Sequence, residues 1–565
     1  MPQDAFTLKY LASELSEVLV GGKVNRIVAE NSDRIIFTIF TGKDTKNLLI
    51  SVNPASPRMG ITTNQINAPL TASNFCMLLR KHLLSSTIKE ISLVGFDRII
   101  KIDFLLGGEF SDGEIRTLFI ELMGRYSNVI LTENGNVLGC NRGINMFDNG
   151  VRPLICKKPY VFPPDNGKML PFSDQMYEKF GAFIGDDLVG FITENVQGIA
   201  SLTAKEIVSQ FTEKYGEYEK GKSRIFVDFF RNFINTPKAP VVYFDGEKIC
   251  DVSAFNYSVM KEYKRLEFSW LYQAEDYYYN EKEKLKEFSL LRERLTSIIC
   301  ANVKKLKKKI SLINAKISEA EKLEQNKLYG ELLTANLYKY KQNEKTVEVD
   351  NYYDGSKVKI VLDEKISVAK NAENFYKKYN KQKRTLIALA PQKEQLLSEL
   401  NYYENLSDLV AIADDVSFLI SVKEEMVFEG LIKVQNQKKN KEKALGCLAY
   451  NYNGFNIKVG RSNVENDRLI ALANGCDTWL HLKDYHSSHV IIESEGREIP
   501  EDVLITACEI CAYYSRARES DKVEVVYTLK KHVKKPRGAK PGFVHYTNFK
   551  SLLVNPKKHE TIKKT

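Results

Sequence analysis

The segment Tyr527 to Gly542 carries Lys530, Lys531, Lys534, Lys535, Arg537 and Lys540 among prolines and glycines. Such a run is expected to stay extended, so that its cations track successive phosphates while the glycines let backbone amides approach. From Lys530 to Thr565 eleven Lys or Arg stand against one acid, Glu560, which is the charge footprint of a polyanion partner. A solvated basic loop is the competing reading, and nothing in the run indicates base specificity. Upstream, His481, His486 and His489 lie close to Trp479. Zinc needs three or four convergent ligands, and this spacing matches neither a helical nor a finger pattern. Polar contact of these histidines with phosphate, ribose or base is expected instead, with Trp479 filling the core or stacking.

Two further stretches put charge among strand-forming residues. Gly95-Phe96-Asp97-Arg98-Ile99-Ile100 places an acid beside a base on an expected strand, where neighbours point to opposite faces, so one of the two needs another partner. Glu121, Arg125 and Asn128 fall within one short span, as a structural ion network or as a ligand contact. Cys508 and Cys511 have redox spacing, but they share a small-residue helical stripe with Leu504, Ala507 and Ala512, and packing is the expected role. No GxxxxGK[ST], HExxH or GxSxG pattern occurs. The chain is expected to make or break no bond by itself, and no cofactor or metal is called for.

These residues must be carried by several elements. Phe6 to Leu19 has helical spacing and stops at Gly21-Gly22. Strand-like runs follow at Val24 to Phe40, Leu48 to Val52, Ile91 to Phe104 and Thr117 to Leu131, with Glu133-Asn134-Gly135-Asn136 as a hairpin turn. A helical module is expected to about residue 265. Leu295, Ile299, Val303, Leu306, Ile310, Ile313, Ile317 and Ala320 form a heptad seam, and a second runs from Phe375 to Tyr403. Two such helices around a small strand-bearing insert suggest an antiparallel hairpin, while a parallel homodimer is the other reading of the same pattern. Polar Gln435 to Lys443 reads as a linker, before a final domain with strands at Phe455 to Val459, Val490 to Ile492 and Val523 to Thr528 and a helix from Glu501 to Ala517.

With 565 residues, 43% hydrophobic and 27% charged, the chain has ordinary globular composition and length for several domains. No stretch approaches the ~18 to 20 apolar residues of a membrane span. The first residues lack a basic, then apolar, export signal, and nine scattered cysteines do not form a disulfide framework. A reducing cytoplasm is expected.

Seven motifs, in order, resemble the NFACT family. They are Gly95 to Arg98, Glu121 to Asn128, Tyr329 to Asn336, Asn371 to Lys381, Val459 to Asp467, Asp477 to Asp484 and His532 to Pro536. The resemblance covers essentially the whole chain. It implies an α+β multidomain protein: an N-terminal NFACT domain like formamidopyrimidine-DNA glycosylase (1–175), a helix-hairpin-helix module (176–270), a long antiparallel coiled-coil arm with a small insert (271–434), and a C-terminal α/β NFACT-R domain (435–565). It further implies ribosome-associated quality control in the cytoplasm. Such a protein would bind large ribosomal subunits obstructed by peptidyl-tRNA and recruit alanyl-tRNA for untemplated alanine tailing, alongside a small accessory RNA-binding protein. On that reading Asp97, Arg98, Glu121 and Met123 handle tRNA, and Arg125 is added as a phosphate fork. His481, Lys483, Asp484, His489, Lys530, Lys531, Lys534, Lys535 and Arg537 would form the RNA-binding set of the last domain.

The chain departs from the family in three places. His486-Ser487-Ser488-His489 stands where the family usually has Pro-Gly-Ser-His, which leaves open whether that turn needs a positive φ. In Glu194 to Ala200 only Gly198 remains of the usual helix-hairpin-helix glycine pair, so a phosphate grip there is expected to be weak or lost. Pro2 is followed by Gln3, where the glycosylases have Glu, and glycosylase activity is not expected. The rival reading from another class is a surface adhesin that binds fibronectin, after an older label of the family.

Overall fold

The computed structural model describes residues 3–107, 113–143, 152–164, 167–236, 239–341, 344–433, 446–483 and 485–559. Pro2 and Asp484 lie outside these residues. The chain folds as two compact units, Met1–Glu283 and Lys284–Thr565.

In the first unit, Asp4 starts helix α1 (Ala5–Leu19) by accepting the Thr7 amide at 2.8 Å. Strands β1 (Lys23–Ala29), β2 (Arg34–Phe40), β3 (Thr45–Ser51) and β4 (Arg58–Ile61) form one meander. After α2 (Asn74–Leu83), β5 (Thr87–Leu93), β6 (Ile99–Leu105), β7 (Ile115–Glu121), β8 (Asn128–Glu133) and β9 (Asn136–Cys140) form a second. The two join through β1 and β5 into a nine-stranded antiparallel sheet, order β4-β3-β2-β1-β5-β6-β7-β8-β9. The expected hairpin turn holds: Asn134 and Gly135 both have positive φ, +50° and +77°, as a two-residue turn between twisted strands requires.

Two expectations are corrected here. The run Ile91 to Phe104 is two strands, β5 and β6, so Asp97 and Arg98 sit on the turn between them and not on a strand. Gly95, at φ +60°, reverses the chain, and Asp97 Oδ1 accepts the Arg98 amide at 2.7 Å, a local bond that competes with the sheet ladder. The segment expected to be purely helical to residue 265 holds α3 (Gln175–Ala182), α4 (Leu188–Asn195), α5 (Ser201–Tyr215) and α6 (Ser223–Phe233), then a three-stranded sheet of β10 (Val241–Asp245), β11 (Lys248–Ser253) and β12 (Lys264–Glu267). Asp245-Gly246-Glu247-Lys248 makes its hairpin, with Gly246 at φ +60°, a short-range signal the sequence reading passed over.

One apolar core runs from Ala5 through α1, the sheet and α3–α6 to Leu271, so packing continues across residue 175. Gly198 shows why its position must be glycine. It has φ +77°, and a Cβ there would lie 2.5 Å from the Phe96 carbonyl and from Ala5 Cβ. The glycine is used to bring the α4–α5 turn against the turn that carries Asp97 and Arg98.

Helix α7 (Leu271–Ala320) starts in this unit under the control of buried acids. Glu14, 1% exposed, accepts the Leu271 and Tyr272 amides at 2.9 and 3.1 Å, supplying partners for the first orphan N–H groups of the helix. Glu283 pairs with Arg34 and Arg58, each at 3.0 Å. Glu275 is buried and accepts from Gln3 Nε2 at 2.6 Å.

In the second unit, the rest of α7 is followed by α8 (Leu323–Ala335), a hairpin of β13 (Thr346–Asp350) and β14 (Lys357–Val361), and α9 (Val368–Ile412). Helices α7 and α9 run antiparallel within the chain: Arg292 donates to the Ala411 carbonyl, Lys307 pairs with Glu404 at 3.1 Å, and Gln382 donates to the Glu319 carbonyl at 3.4 Å. Leu295, Ile299 and Leu306 bury against Tyr402, Tyr403 and Leu406. Within the chain, the two heptad helices therefore pack on one another in antiparallel fashion.

After α10 (Val416–Phe428), the last domain has β15 (Leu448–Tyr452), β16 (Phe455–Val459), α11 (Asn463–Leu472), β17 (Thr478–Leu482), β18 (Val490–Glu493), α12 (Glu501–Tyr513) and β19 (Val523–Leu529). A short β20 (Val533–Lys534) and β21 (His545–Tyr546) pair with each other, and β22 (Lys550–Val554) ends the described sheet, order β15-β16-β18-β17-β19-β22. Strand alternation separates its two faces. Leu480 and Leu482 join the core shared with α12, α10 and the long helices, whereas Trp479 packs with Leu469, Ile470, Ile491, Val526 and Val533. No described helix is long and apolar enough to cross a membrane.

Burial pushes the Glu275 carboxyl up to about 8, with the Glu14 charge adding to the effect. The folded chain therefore keeps a proton that the unfolded chain releases above its ordinary value near 4.5, and stability falls as pH rises between 4.5 and about 8. Glu275→Gln is expected to remove a slope of up to ~1.4 kcal/mol per pH unit across that window, measured by urea unfolding at a series of pH values.

Candidate nucleic-acid interface

The first candidate surface lies at one end of the nine-stranded sheet. The β6/β7 register pairs Ile99 with Glu121, and the β7/β8 register pairs Glu121 with Asn128. The turns that carry the two charged motifs therefore emerge side by side, and the Leu122 amide donates to the Arg98 carbonyl at 2.8 Å.

Glu121, 1% exposed, points inward. Its carboxylate accepts from both terminal nitrogens of Arg152, one at 3.1 Å, and from the Tyr160 hydroxyl at 2.7 Å. Arg152 also lies 5.3 Å from the centre of the Tyr160 ring. Burial first, then the Glu121 charge, raises the Tyr160 hydroxyl far above its ordinary value, so it stays a donor. Glu121 is thus a positioning residue, with its acceptors used inside the protein. Asn128 fixes the next strand by bonding the backbone of Arg142, whose guanidinium reaches Asp33 at 2.8 Å.

Met123 packs on the cluster of Ile99, Phe119, Ile130, Val137 and Leu154. Gly124, at φ +59°, turns the chain outward, and Arg125 and Tyr126 are exposed, the guanidinium 4.7 Å from the ring centre. A cation lying over an aromatic ring offers a phosphate or a base both charge and a flat face. Asp97 and Arg98 are half-buried beside them. The sequence reading found the motif residues and missed Arg152 and Tyr160, which lie 31 and 39 positions from Glu121 among prolines, with no local spacing to link them.

The second surface belongs to the last domain. The basic run does not stay extended. A 3-10 turn at Lys530–His532 leads into β20, and Val533 and Lys534 pair with Tyr546 and His545, so the run folds back as a hairpin. Val533 is buried in the core, and that apolar anchor is what bends the segment. Lys531, Lys534 and Arg537 are exposed, Lys530 is half-buried, and Lys535 pairs with Asp467. Lys483 donates to both oxygens of Glu524 at 3.1 Å. Among the described residues, no group of three or more His, Cys, Asp or Glu is arranged to hold a metal.

His481 is half-buried, and its Nδ1 lies 2.6 Å from the Leu482 carbonyl. A carbonyl only accepts, so Nδ1 carries the proton and Nε2 is left as an acceptor. Burial pushes His481 down to about 4 and holds His489, 2% exposed, well below its ordinary value. Both rings are neutral at pH 7. The turn before His489 needs no positive φ, since Ser487 Oγ accepts the Leu482 amide at 3.1 Å and holds it. Cys508 and Cys511 are free thiols in the core, and burial raises Cys508 to about 12, which leaves little thiolate.

Arg152→Met leaves the Glu121 carboxylate buried without its partner and is expected to cost ~3–5 kcal/mol in urea unfolding. The double variant Arg152→Met with Glu121→Gln is expected to recover most of that loss.

A family model described as NFACT N-terminal and middle domains matches residues 4–444, and one described as NFACT protein RNA binding domain matches residues 449–548. The chain is similar to a Bacillus subtilis (strain 168) protein named Rqc2 homolog RqcH, with 30% identity over 98% of each chain. A protein of the same name from Streptococcus pneumoniae serotype 2 is 30% identical over the full length of both. Among solved structures, the N-terminal part of the fibronectin/fibrinogen-binding protein from Streptococcus suis aligns with 49% of this chain and 99% of its own, at 23% identity and a TM-score of 0.43. With family matches from residue 4 to residue 548, the chain belongs to the NFACT family.

Proposed function

We propose that the chain is a ribosome-associated quality-control factor of the cytoplasm. It binds large ribosomal subunits obstructed by peptidyl-tRNA and recruits alanyl-tRNA, so that alanines are added without a template and the stalled chain is marked for degradation. Similarity over the full length to relatives named Rqc2 homolog RqcH supports the pathway. The observation that carries the tRNA step is the joining of the Gly95–Arg98 and Met123–Ser127 turns by the Leu122–Arg98 bond at 2.8 Å, with exposed Arg125 and Tyr126 beside them.

The chemistry asks little of the protein. Peptide transfer from an aminoacyl ester is downhill and is promoted by the ribosome's own RNA, so holding tRNA in place is sufficient. The protein acts as a positioning factor and not as an enzyme. Asp97, Arg98 and Arg125 touch the tRNA, Glu121 fixes the sheet end from inside, and Met123 seats the turn. The family division would run 1–175 with a fold like formamidopyrimidine-DNA glycosylase, 176–270 as helix-hairpin-helix, 271–434 as the coiled-coil arm and 435–565 as NFACT-R. At ~1.5 Å per residue, the 50 residues of α7 span roughly 75 Å, a reach suited to distant features of the subunit. A small accessory RNA-binding protein of the same pathway would assist.

Asp97→Ala with Arg98→Ala is expected to lower alanine incorporation by roughly 100-fold in a purified reaction of obstructed large subunits and alanyl-tRNA, while co-sedimentation with the subunit is kept. Unchanged incorporation would overturn the assignment. Replacing Lys531, Lys534 and Arg537 with Ala is expected to weaken RNA binding and to make the plot of log affinity against log salt shallower by roughly 2, as loss of about three phosphate contacts to a single strand requires.

A further inference from the structure

The folded-back basic run of the last domain carries rings as well as charge. From Phe543 to Tyr546 the side chains alternate as a strand requires: Val544 and Tyr546 pack inward on the cluster of Trp479, Ile491 and Val533, while Phe543 and His545 are exposed. The β20/β21 register sets Lys534 opposite His545 and Val533 opposite Tyr546. Opposed residues of an antiparallel pair lie on one face, and Val533 is buried, so Lys534 points outward with His545. The outer face of the hairpin thus presents Lys534, His545 and Phe543 together.

Phe543 is 45% exposed, and its ring centre lies 5.2 Å from that of His545 with the planes at 81°. Two rings at a right angle make an open corner, where a flat ligand laid on one ring meets the edge of the other. The backbone beneath is fixed. Gly542 has φ +80°, a Cβ there would lie 2.3 Å from Asn463 Oδ1, and its amide donates to Asp467 Oδ1 at 3.2 Å. The charges beside the rings differ in their commitments. Lys535 pairs with Asp467 and Lys540 with Glu429, whereas Lys534 forms no ion pair among the described residues. An uncommitted cation next to an exposed aromatic ring matches a strand whose phosphates and base faces are both open. A duplex offers the phosphates alone, because its bases are already stacked on one another.

We propose that an unpaired base of single-stranded RNA stacks on Phe543 against His545, with the adjoining phosphate on Lys534. The inference rests on the RNA-binding reading of this domain and adds to it the class of RNA taken, a single strand in preference to a duplex.

The test uses the full chain and three fluorescein-labelled RNAs titrated by anisotropy over a range of salt: a ten-nucleotide single strand, its ten-base-pair duplex, and an abasic strand with the same phosphates. Phe543→Leu, which keeps an apolar side chain and removes the flat face, is expected to weaken the base-bearing strand on the order of tenfold, with the duplex and the abasic strand unaffected and the salt slope unchanged. Phe543→Tyr, which keeps the face, is expected to bind as the parent chain does. Lys534→Gln is expected to weaken all three RNAs and to make the single-strand salt slope shallower by roughly 0.7. Unchanged single-strand affinity in Phe543→Leu, equal weakening of the base-bearing and abasic strands, or loss of binding in Phe543→Tyr overturns the stacking site while leaving RNA binding by this domain intact. Failure of the parent chain to bind any of the three RNAs overturns the site and the RNA-binding reading together.

Discussion

The register of three strands, sealed by one buried ion pair, is the constraint on which the first candidate surface depends. Ile99, Glu121 and Asn128 face one another across β6, β7 and β8, and the turns on either side have no freedom to separate once those pairs form. Arg152 and Tyr160 engage both oxygens of the Glu121 carboxylate, so the sheet end is tied from inside. A buried pair of this kind adds little net stability compared with apolar residues, but leaving one member alone is costly. Its effect is to specify the geometry, which sets half-buried Asp97 and Arg98 beside exposed Arg125, the residues of the proposed tRNA contact.

The same device recurs where helices must start at fixed places. Asp4 serves the start of α1 and also accepts the Ala200 amide and the Thr203 hydroxyl at the start of α5. Glu14 serves α7, and Glu425 accepts the Asn463 amide at 2.6 Å at the start of α11. Carboxylates favour helix N-termini because orphan N–H groups and the helix dipole meet there. Asp4 on α1 is a local cap, but at α5, α7 and α11 the acids are far away in sequence, so each of those caps is also a tertiary contact. Helix α7 in particular leaves its unit from a start clamped by Glu14 and, three turns on, by Glu283 with Arg34 and Arg58.

How much of this could be read from the sequence follows from the range of each interaction. The heptad positions of α7 and α9 were legible because apolar spacing is local, and so was the Asn134-Gly135 turn. The Asp97–Arg98 turn was read as strand because the apolar residues on either side hid the glycine that breaks it. The fold-back of the basic run was missed because it depends on Val533 entering a core built by Trp479, Ile491 and Val526. Glu121 could be named as important but not as buried, since its partners become neighbours only after the sheet forms. The caps by Glu14 and Glu425 left no trace at all in local spacing, as an acid inside a helix looks like any solvated surface residue. His481, a motif residue in sequence, becomes a neutral acceptor only through the Leu482 carbonyl and its burial.

The central claim is that the turns at this end of the nine-stranded sheet hold tRNA. The most direct measurement replaces Tyr126 with a photo-crosslinking phenylalanine analogue in the full chain, irradiates it on obstructed large subunits with a total tRNA pool, and sequences the captured RNA. The account predicts alanine tRNA as the dominant product, and its loss when Asp97 and Arg98 are also replaced. Capture of no RNA, or of ribosomal RNA alone, would contradict it.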